Sequence, residues 1–500
     1  IPQQAIYQTV RHNLKKMKYI HLSFVILILL VGCKNNKTEP LNESQTEITN
    51  YLFQDYIGEK PSASFIVIKD GEIKTCQSFG FADLDKGIKA NCNTNYRIAS
   101  VTKQFTAMAI MKLISQGKLT YETKISELFP DFPEYGNEIT VKELLNHRSG
   151  LIEYFKLYPK DSKNQIVDKD VFELLKQQDS TIFKPNKKYK YSNSGYVVLS
   201  QIVEKNSGMS FKDFMDKEIF EPLQMNNSTV YLKDLEIKNR AYGYKFNDTI
   251  YELKDQYGWS AVQGDGGIYS SVNDYYKWDQ ALYTDDLITQ KELKPAFSNW
   301  DENGMNDKDG YGFGWSILTK NETKYYLHSG GSTGFKTFSL RIPSKNISVA
   351  ILTNNDDFGN QLKRKAFFLA SYFSDGKIQI PADVLLEKEI EENGIDNIAT
   401  KFNELKSNSS EYDIVEKDLV SLGFNYFSKK EDEKALKIFE LIKTEFPQYF
   451  GGYFGLARYY KANDEKQKAI ANFKKVTELA TSEDQGLINY SKKMIKQLSE

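Results

Sequence analysis

The sequence predicts an α/β (α+β) protein: an antiparallel sheet flanked by helices, with an inserted mainly helical region, followed by an all-α tail. The first observation is ASFIVIKDGEIKTCQSFGFADLD, in which two strand-like runs are joined by an Asp70-Gly71 turn. The second is KYYLHSGGSTGFKTFSLRIPSKNISVAILTNND, where a turn at residues 343–346 separates two further strands. The third is a change near Ile380 to a Glu- and Lys-rich sequence that has helical periodicity and no strand patterns.

The composition is that of an ordinary globular protein. The chain has 500 residues, of which 40% are hydrophobic and 27% are charged, and its net charge is −1. This length predicts two or three domains. A nearly neutral chain without basic clusters gives no indication of a nucleic-acid partner.

An export signal is predicted near the N-terminus. In MKYIHLSFVILILLVGCKNN, basic residues precede the apolar run Phe24 to Val31, which is too short to span a membrane, and Cys33 follows a small residue. The segment resembles a bacterial lipoprotein signal, in which Cys33 becomes the lipidated N-terminus. A short core helix or a retained membrane anchor is the alternative. We expect a lipid-anchored protein of the bacterial cell envelope, periplasmic or on the outer surface, with residues 34–50 as a tether.

The helix predicted within NYRIASVTKQFTAMAIMKLISQGKLT is apolar on nearly every face, yet it contains Lys103 in its first turn. An unpaired ammonium buried there would cost several kcal/mol. Ser100 lies three residues earlier, within reach of the amine on a helix. A desolvated amine of lowered pKa could remove the hydroxyl proton and make Ser100 a nucleophile.

The Ser-x-x-Lys spacing is weak evidence when taken alone. Ser100 could be a helix cap and Lys103 could extend to solvent. The same spacing also recurs at Ser115/Lys118 and at Ser374/Lys377.

Two further motifs follow in a fixed order. Tyr191-Ser192-Asn193 precedes an apolar helix, and His328-Ser329-Gly330 begins a strand. Ser-x-x-Lys, Tyr-x-Asn and a basic residue-x-Gly together resemble the pattern of serine β-lactamases and penicillin-binding proteins. Flanking segments such as ITVKELLNHRSGL and GDGGIYSSVNDYYKWDQAL resemble the class C β-lactamase-like serine hydrolases, which include D-alanyl-D-alanine carboxypeptidases, D-amino-acid peptidases and esterases. The resemblance covers about residues 51–373.

This resemblance implies a role for each motif residue. Ser100 would be the acylated nucleophile and Lys103 its amine partner. Tyr191 would be the general base, ionised near neutral pH with the help of Lys103. Asn193 would hydrogen-bond Lys103 and the substrate amide.

The third motif would bind the substrate. The backbone N–H groups of Ser100 and Gly331 would form the oxyanion hole, and Gly330 and Gly331 would let the strand approach the substrate closely. His328 occupies the place where related enzymes commonly have Lys, and a neutral imidazole would bind a substrate carboxylate weakly. We therefore expect hydrolysis of small esters or D-residue amides with weak β-lactam turnover, and better use of carboxylate-bearing substrates at mildly acidic pH, when His328 is protonated.

The function expected is thus a serine hydrolase that forms an acyl-enzyme on small ester, D-residue amide or β-lactam substrates, in cell-wall peptide or ester hydrolysis. The alternative is a lipid-anchored penicillin-binding-type sensor with little turnover. Neither needs a cofactor or metal, and two histidines beyond the leader, His147 and His328, are too few for a clustered zinc site. His147 is interpreted as a satisfied helix-end histidine. Whether Cys76 and Cys92 pair is left open.

The tail contains a repeat. Five positions recur 34 residues later, a period that resembles tetratricopeptide repeats: Leu422, Gly423, Tyr426, Ala435 and Phe439, then Leu456, Ala457, Tyr460, Ala469 and Phe473. The repeats would either dock a protein partner or cap the preceding domain. We predict a hydrolase domain over residues 51–378, a linker or helix over 379–410 and repeats over 411–500.

Overall fold

A computed structural model of the chain describes residues 42–158, 165–247, 249–300, 310–320, 322–356, 359–376, 378–481 and 484–500. The predicted signal segment and Cys33 lie outside these residues. The chain from Pro40 to Glu500 forms one compact unit. None of the described helices is both long and apolar enough to cross a membrane.

The described strands follow one another in this order: β1 Ala63–Lys69, β2 Glu72–Phe79, β3 Phe81–Asp83, β4 Ile88–Lys89, β5 Tyr96–Arg97, β6 Thr229–Val230, β7 Tyr244–Phe246, β8 Tyr251–Leu253, β9 Ile268–Ser270, β10 Gly310–Tyr311, β11 Ser316–Lys320, β12 Thr323–Ser332, β13 Phe335–Ile342, β14 Ile347–Thr353, β15 Ile380–Pro381 and β16 Tyr412–Asp413.

The described α-helices are α1 Glu43–Leu52, α2 Thr102–Ser115, α3 Ile125–Leu128, α4 Val141–Leu145, α5 Asp168–Lys176, α6 Asn193–Ser207, α7 Phe211–Met215, α8 Val272–Ala281, α9 Gln290–Leu293, α10 Gly359–Tyr372, α11 Ala382–Asn393, α12 Ile398–Ser407, α13 Glu416–Ser428, α14 Asp432–Glu445, α15 Phe450–Ala462, α16 Lys466–Leu479 and α17 Gln485–Ser499.

The predicted fold class is confirmed. Seven strands form an antiparallel sheet in the order β10-β11-β12-β13-β14-β1-β2. Strand β1 is buried along its whole length because both faces of the sheet are covered. Ile66 and Ile68 belong to the core that contains α2 and α6, whereas Phe65 and Val67 face the core formed with α1 and α10. Because successive side chains of β1 point to opposite faces of the sheet, the strand contributes residues to two separate cores.

Helix α1 corrects the predicted tether. The tether was expected to continue to residue 50, but α1 begins at Glu43 with a capping box between Asn42 and Gln45. Ile48 and Leu52 are buried in the core that covers the sheet. The polar composition of the segment concealed this short amphipathic stripe.

The tail consists of paired helices. Helix α15 begins 34 residues after α13 (Glu416 to Phe450), and α16 begins 34 residues after α14 (Asp432 to Lys466). Gly423 lies against the ring of Phe439, where an added Cβ would be 2.4 Å from the nearest ring atom. The small residue therefore lets the two helices of the first pair approach closely.

The first tail helix, α11, packs directly on helix α10 and the seven-stranded sheet. Arg364 on α10 forms ion pairs with Asp383 and with Glu387, the latter at 2.6 Å. Val384 of α11 belongs to the same buried cluster as the outer face of β1. Of the two alternatives predicted for residues 379–410, a linker or a helix, the structure shows helices, and they are partly buried.

Candidate active site

Ser100 lies at the entrance to α2, in the short 3-10 turn Ala99–Val101. The turn is fixed from behind, because the N–H of Ile98 donates to the carbonyl of Ile268 at 2.9 Å. Ala99 has φ +48°, an uncommon backbone conformation for a residue with a side chain. This sharp entry leaves Ser100 half-buried while the residues on either side of it are buried.

Lys103 is fully buried and has three acceptors around its amine. The Nζ atom donates to Asn193 Oδ1 at 2.8 Å and to the Asp265 carbonyl oxygen at 2.7 Å, and it lies 3.2 Å from Ser100 Oγ. A neutral amine has two N–H donors and one lone pair. The first two acceptors can use the donors, which leaves the lone pair for the Ser100 hydroxyl proton.

Burial also brings the amine near its neutral form. It lowers the pKa of Lys103 to about 8, although the nearby Asp265 and Glu153 carboxylates act in the opposite direction. An amine with this pKa is partly unprotonated at neutral pH. The burial that made Lys103 anomalous in the sequence is therefore what suits it to remove a proton.

Tyr191 lies on the other side of the amine, with its ring centroid 4.9 Å from Lys103 Nζ. The expectation that Tyr191 ionises near neutral pH does not hold. Burial raises the pKa of Tyr191 well above its usual value, and the opposing hydrogen bond with the Ser100 side chain does not offset it. Burial therefore keeps Tyr191 a neutral phenol at neutral pH.

Asn193 joins Lys103 to a carboxylate that the sequence analysis did not single out. Its Oδ1 accepts from Lys103, and its Nδ2 donates to Glu153 Oε2 at 3.2 Å. The Asn193 backbone N–H also lies 3.1 Å from both Glu153 oxygens. Burial raises the pKa of Glu153, while its hydrogen bonds to Ser192 and Asn193 lower it.

Asp265 is a second residue without a predicted role. It lies in the GDGG segment, whose loop is held by the Asp168 carboxylate through the N–H groups of Gln263 and Gly264 at 2.6 and 2.9 Å. A Cβ on Gly264 would lie 2.4 Å from the Tyr196 carbonyl oxygen, so the loop requires glycine there. Three glycines around one acidic residue were the available signal for this close approach.

His328 is buried and neutral. Its Nδ1 donates to the Ser329 carbonyl at 2.7 Å, so its Nε2 accepts from the Tyr311 hydroxyl at 2.9 Å. Burial, with the Lys103 charge, lowers the pKa of His328 to about 3. The expected protonation at mildly acidic pH is therefore wrong, because the site removes the imidazole from water and gives both ring nitrogens partners that suit the neutral form.

Strand β12 brings the glycines of the third motif to Ser100. Its pairing with β11 ends at Leu327, so the following residues of the motif pair with β13 alone. A Cβ on Gly330 would lie 2.4 Å from the carbonyl oxygen of Ile98, which is two residues before Ser100. Gly330 thus permits β12 to approach the turn that carries Ser100, whereas the approach of the strand to the substrate stays a prediction. A Cβ on Gly331 would have Lys336 Nζ, at 3.3 Å, as its nearest neighbour.

His147 lies directly behind the second motif. Its ring centroid is 4.2 Å from that of Tyr191, and its Nδ1 accepts the backbone N–H of Ser192 at 3.1 Å. The proton is then on Nε2, for which no hydrogen-bond partner occurs among the described residues. Burial lowers the pKa of His147 well below its usual value. The expected satisfied histidine thus has a described hydrogen-bond partner at only one of its two ring nitrogens, and that bond supports the backbone beside Tyr191.

The remaining sequence candidates lie apart from this site. Ser115 lies at the C-terminal end of α2 and hydrogen-bonds the Glu292 carboxylate. Lys377 is outside the described residues. Cys76 and Cys92, whose pairing was open, form a disulfide bond. Across the part of the chain that the structure describes, no group of three His, Cys, Asp or Glu side chains is arranged to hold a metal ion.

Comparisons with known proteins agree on one family. A family model described as Beta-lactamase matches residues 50–371. The chain is 35% identical to Penicillin-binding protein 4* of Bacillus subtilis (strain 168) over 319 residues, which are 60% of this chain and 70% of that protein.

Solved structures share the fold. The octameric penicillin-binding protein homologue from Pyrococcus abyssi is 25% identical, with a TM-score of 0.58 over 69% of this chain and 80% of that one. The D-amino acid amidase from Ochrobactrum anthropi SV3 is 22% identical, with a TM-score of 0.54 over 64% of this chain and 95% of that one. This second likeness concerns the fold alone.

Proposed function

Since the chain belongs to the beta-lactamase family of serine hydrolases, we propose that it hydrolyses small uncharged esters and D-residue amides through an acyl-enzyme on Ser100. The observation that carries the proposal is the Lys103 amine, buried, 3.2 Å from Ser100 Oγ and with its pKa lowered to about 8. Such an amine can serve as a base at neutral pH.

Acylation begins when neutral Lys103 takes the Ser100 proton and Oγ attacks the substrate carbonyl carbon. The backbone N–H groups of Ser100 and Gly331 receive the negative charge on the carbonyl oxygen. As the bond to the leaving group breaks, the proton returns from Lys103 to the departing oxygen or nitrogen through the neutral hydroxyl of Tyr191, which hydrogen-bonds the Ser100 side chain. The acyl group remains on Ser100 Oγ.

Deacylation reverses these roles. Water gives a proton to Lys103 by way of the Tyr191 hydroxyl and attacks the acyl carbon, and Ser100 leaves with the proton that Lys103 holds. A neutral Tyr191 suits both halves of the reaction, because a phenol both donates and accepts.

The third motif supports the choice of uncharged substrates. Neutral His328, with its Nε2 engaged by Tyr311, presents no positive charge to a substrate carboxylate. A charged hydrogen bond at this place would contribute about 1.5–3 kcal/mol, so its absence reduces affinity for penicillins and other carboxylates by about tenfold or more.

The test compares kcat/KM for a neutral p-nitrophenyl ester, a D-residue p-nitroanilide and nitrocefin, with Ser100→Ala as the blank. We expect the uncharged substrates to exceed nitrocefin by at least about tenfold. A higher value for nitrocefin would contradict the substrate class. Stoichiometric labelling of Ser100 without turnover of any of the three would instead identify a sensor.

We also propose that the protein is exported and anchored by lipid at Cys33. The Cys76–Cys92 disulfide supports export, because disulfides persist in oxidising compartments. Metabolic labelling with an alkyne fatty acid should mark the wild-type protein and leave Cys33→Ala unlabelled. Equal labelling of the two would contradict the anchor.

The tail, in this proposal, has two roles. The contacts of α11 with Arg364 and with the core around β1 support a capping role for the first tail helix. The helices after Pro447 are the candidates for docking a protein partner.

A further inference from the structure

Glu153 belongs to a segment that runs beside the second motif and bonds to it at successive residues. The His147 carbonyl accepts the Lys190 N–H at 2.9 Å, and the Tyr154 N–H donates to Ser194 Oγ at 2.9 Å. Between these contacts, Glu153 accepts from Asn193 three times, twice from its backbone N–H and once from its side chain. Residues 147–154 thus hold residues 190–194 in place.

The carboxylate decides which way the Asn193 amide faces. A side-chain amide has one accepting and one donating end of nearly equal size, so shape alone does not orient it. An ionised carboxylate only accepts, and it therefore binds the Nδ2 end. The Oδ1 end is then turned toward Lys103, whose Nζ it meets at 2.8 Å.

We propose that Glu153 is a positioning residue of the active site: its carboxylate orients the Asn193 amide so that Oδ1 holds the Lys103 amine against the Ser100 hydroxyl. This inference rests on the proposed function, because it assigns Glu153 a role in the acylation of Ser100.

The chemistry of the reversed amide shows what Glu153 prevents. If Nδ2 faced Lys103, the neutral amine would accept that N–H with its lone pair, which would no longer be free for Ser100. A protonated Lys103 would meet a donor and lose a hydrogen bond. The acylation rate would fall at every pH.

The pH dependence of Lys103 would shift as well. Loss of the Glu153 charge removes one of the two carboxylates that raise its pKa, and a reversed amide disfavours the ammonium further. The other titratable groups around the amine remain in place: Asp265, Tyr191, Tyr196, His147 and His328.

The variant that tests this role is Glu153→Gln, which keeps size and one acceptor but adds a donor toward Asn193. Phosphonylation of the full chain by a fluorophosphonate, in which Ser100 Oγ bonds to phosphorus and fluoride leaves, is followed by intact mass between pH 6 and 10. We expect the plateau rate to fall at least tenfold and the midpoint of its acid limb to move to lower pH. Glu153→Asp, which retains the carboxylate, should keep the midpoint near that of wild type.

Glu127→Gln is the matched control, since Glu127 is exposed on α3 and makes no contact with the site among the described residues. A Glu153→Gln protein with the wild-type plateau and midpoint would overturn the inference. So would a reduced rate with an unmoved midpoint, which a general loosening of the fold would give. If Glu153→Gln does not fold, Glu153→Ala is judged by the same two quantities.

The two proposals fail in different ways. If wild-type protein gains no adduct on Ser100, the proposed hydrolase function fails. If wild type is labelled and the Glu153 variants behave like it, only the positioning role fails.

Discussion

The acylation rate should depend on pH through the neutral fraction of Lys103. With its pKa near 8, about one-tenth of the amine is neutral at pH 7 and about nine-tenths at pH 9. We therefore expect the rate constant to rise about tenfold between these two values and to level off above them. A lysine of ordinary pKa, about 10.4, would still be rising steeply at pH 9.

The rate should rise with pH because only the neutral form of Lys103 can accept the Ser100 proton. Burial stabilises neutral Lys103, so the active form gains population as pH rises through 8. Neither neighbouring histidine should add a second transition to the pH–rate profile between pH 7 and 9, because burial lowers the pKa of both His147 and His328. Tyr191 adds none either, since burial holds its pKa well above the usual value.

The assay is single-turnover phosphonylation of Ser100 by a fluorophosphonate. Intact mass monitors the adduct in buffers of constant ionic strength. Ser100→Ala measures adduct formation elsewhere. Lys103→Met, nearly the same size but without an amine, should lose about 100-fold or more of the rate at pH 9 together with the sigmoid dependence. A flat wild-type profile, or a Lys103→Met profile that keeps the midpoint at 8, would refute Lys103 as the base.

Three further outcomes are expected. Selectivity for a carboxylate-bearing over a neutral ester should stay constant from pH 5 to 8 because His328 remains neutral; kcat/KM ratios measure this, and a rise below pH 6.5 would contradict it. Deleting residues 380–500 should lower the melting temperature, because Arg364 loses its ion-pair partners. Deleting only residues 448–500 should preserve ester hydrolysis. Equal melting temperatures of the two truncated proteins would argue against a capping role for α11. Asp279→Asn should destabilise the protein by about 3 kcal/mol in urea unfolding, because it leaves buried Arg341 without its carboxylate; a loss below 1 kcal/mol would contradict that reasoning.

Part of the site was predictable because its chemistry lies in local spacing. Ser100 and Lys103 are one helical turn apart, so their contact follows from helix geometry once both lie at the start of α2. The glycines of the third motif could likewise be recognised from the sequence as points of close approach, and the structure places Gly330 against the Ile98 carbonyl. The disulfide was not predictable, because a sequence separation of 16 between Cys76 and Cys92 fixes no distance between their sulfurs.

Protonation states were the main failure of sequence reasoning. The motif placed Tyr191 beside Lys103 and His328 beside the substrate, but their pKa values depend on how much water and how many partners each group retains. Burial reverses both expectations, raising the pKa of Tyr191 and lowering that of His328 to about 3. Tyr311, which engages His328, is seventeen residues away and lies outside the three motifs.

The sequence by itself determined the fold class, the order of the three motifs and the candidate reactive pair Ser100 and Lys103, because these depend on periodicity and on residues close together in the chain. Only the tertiary structure decided that Glu153 and Asp265 lie near Lys103, that burial lowers the pKa of the Lys103 amine to about 8, and that burial raises the pKa of the Tyr191 phenol. Contacts such as Lys103 to the Asp265 carbonyl join residues 162 positions apart. Their strength comes from desolvation, which the packed chain creates and no local pattern records.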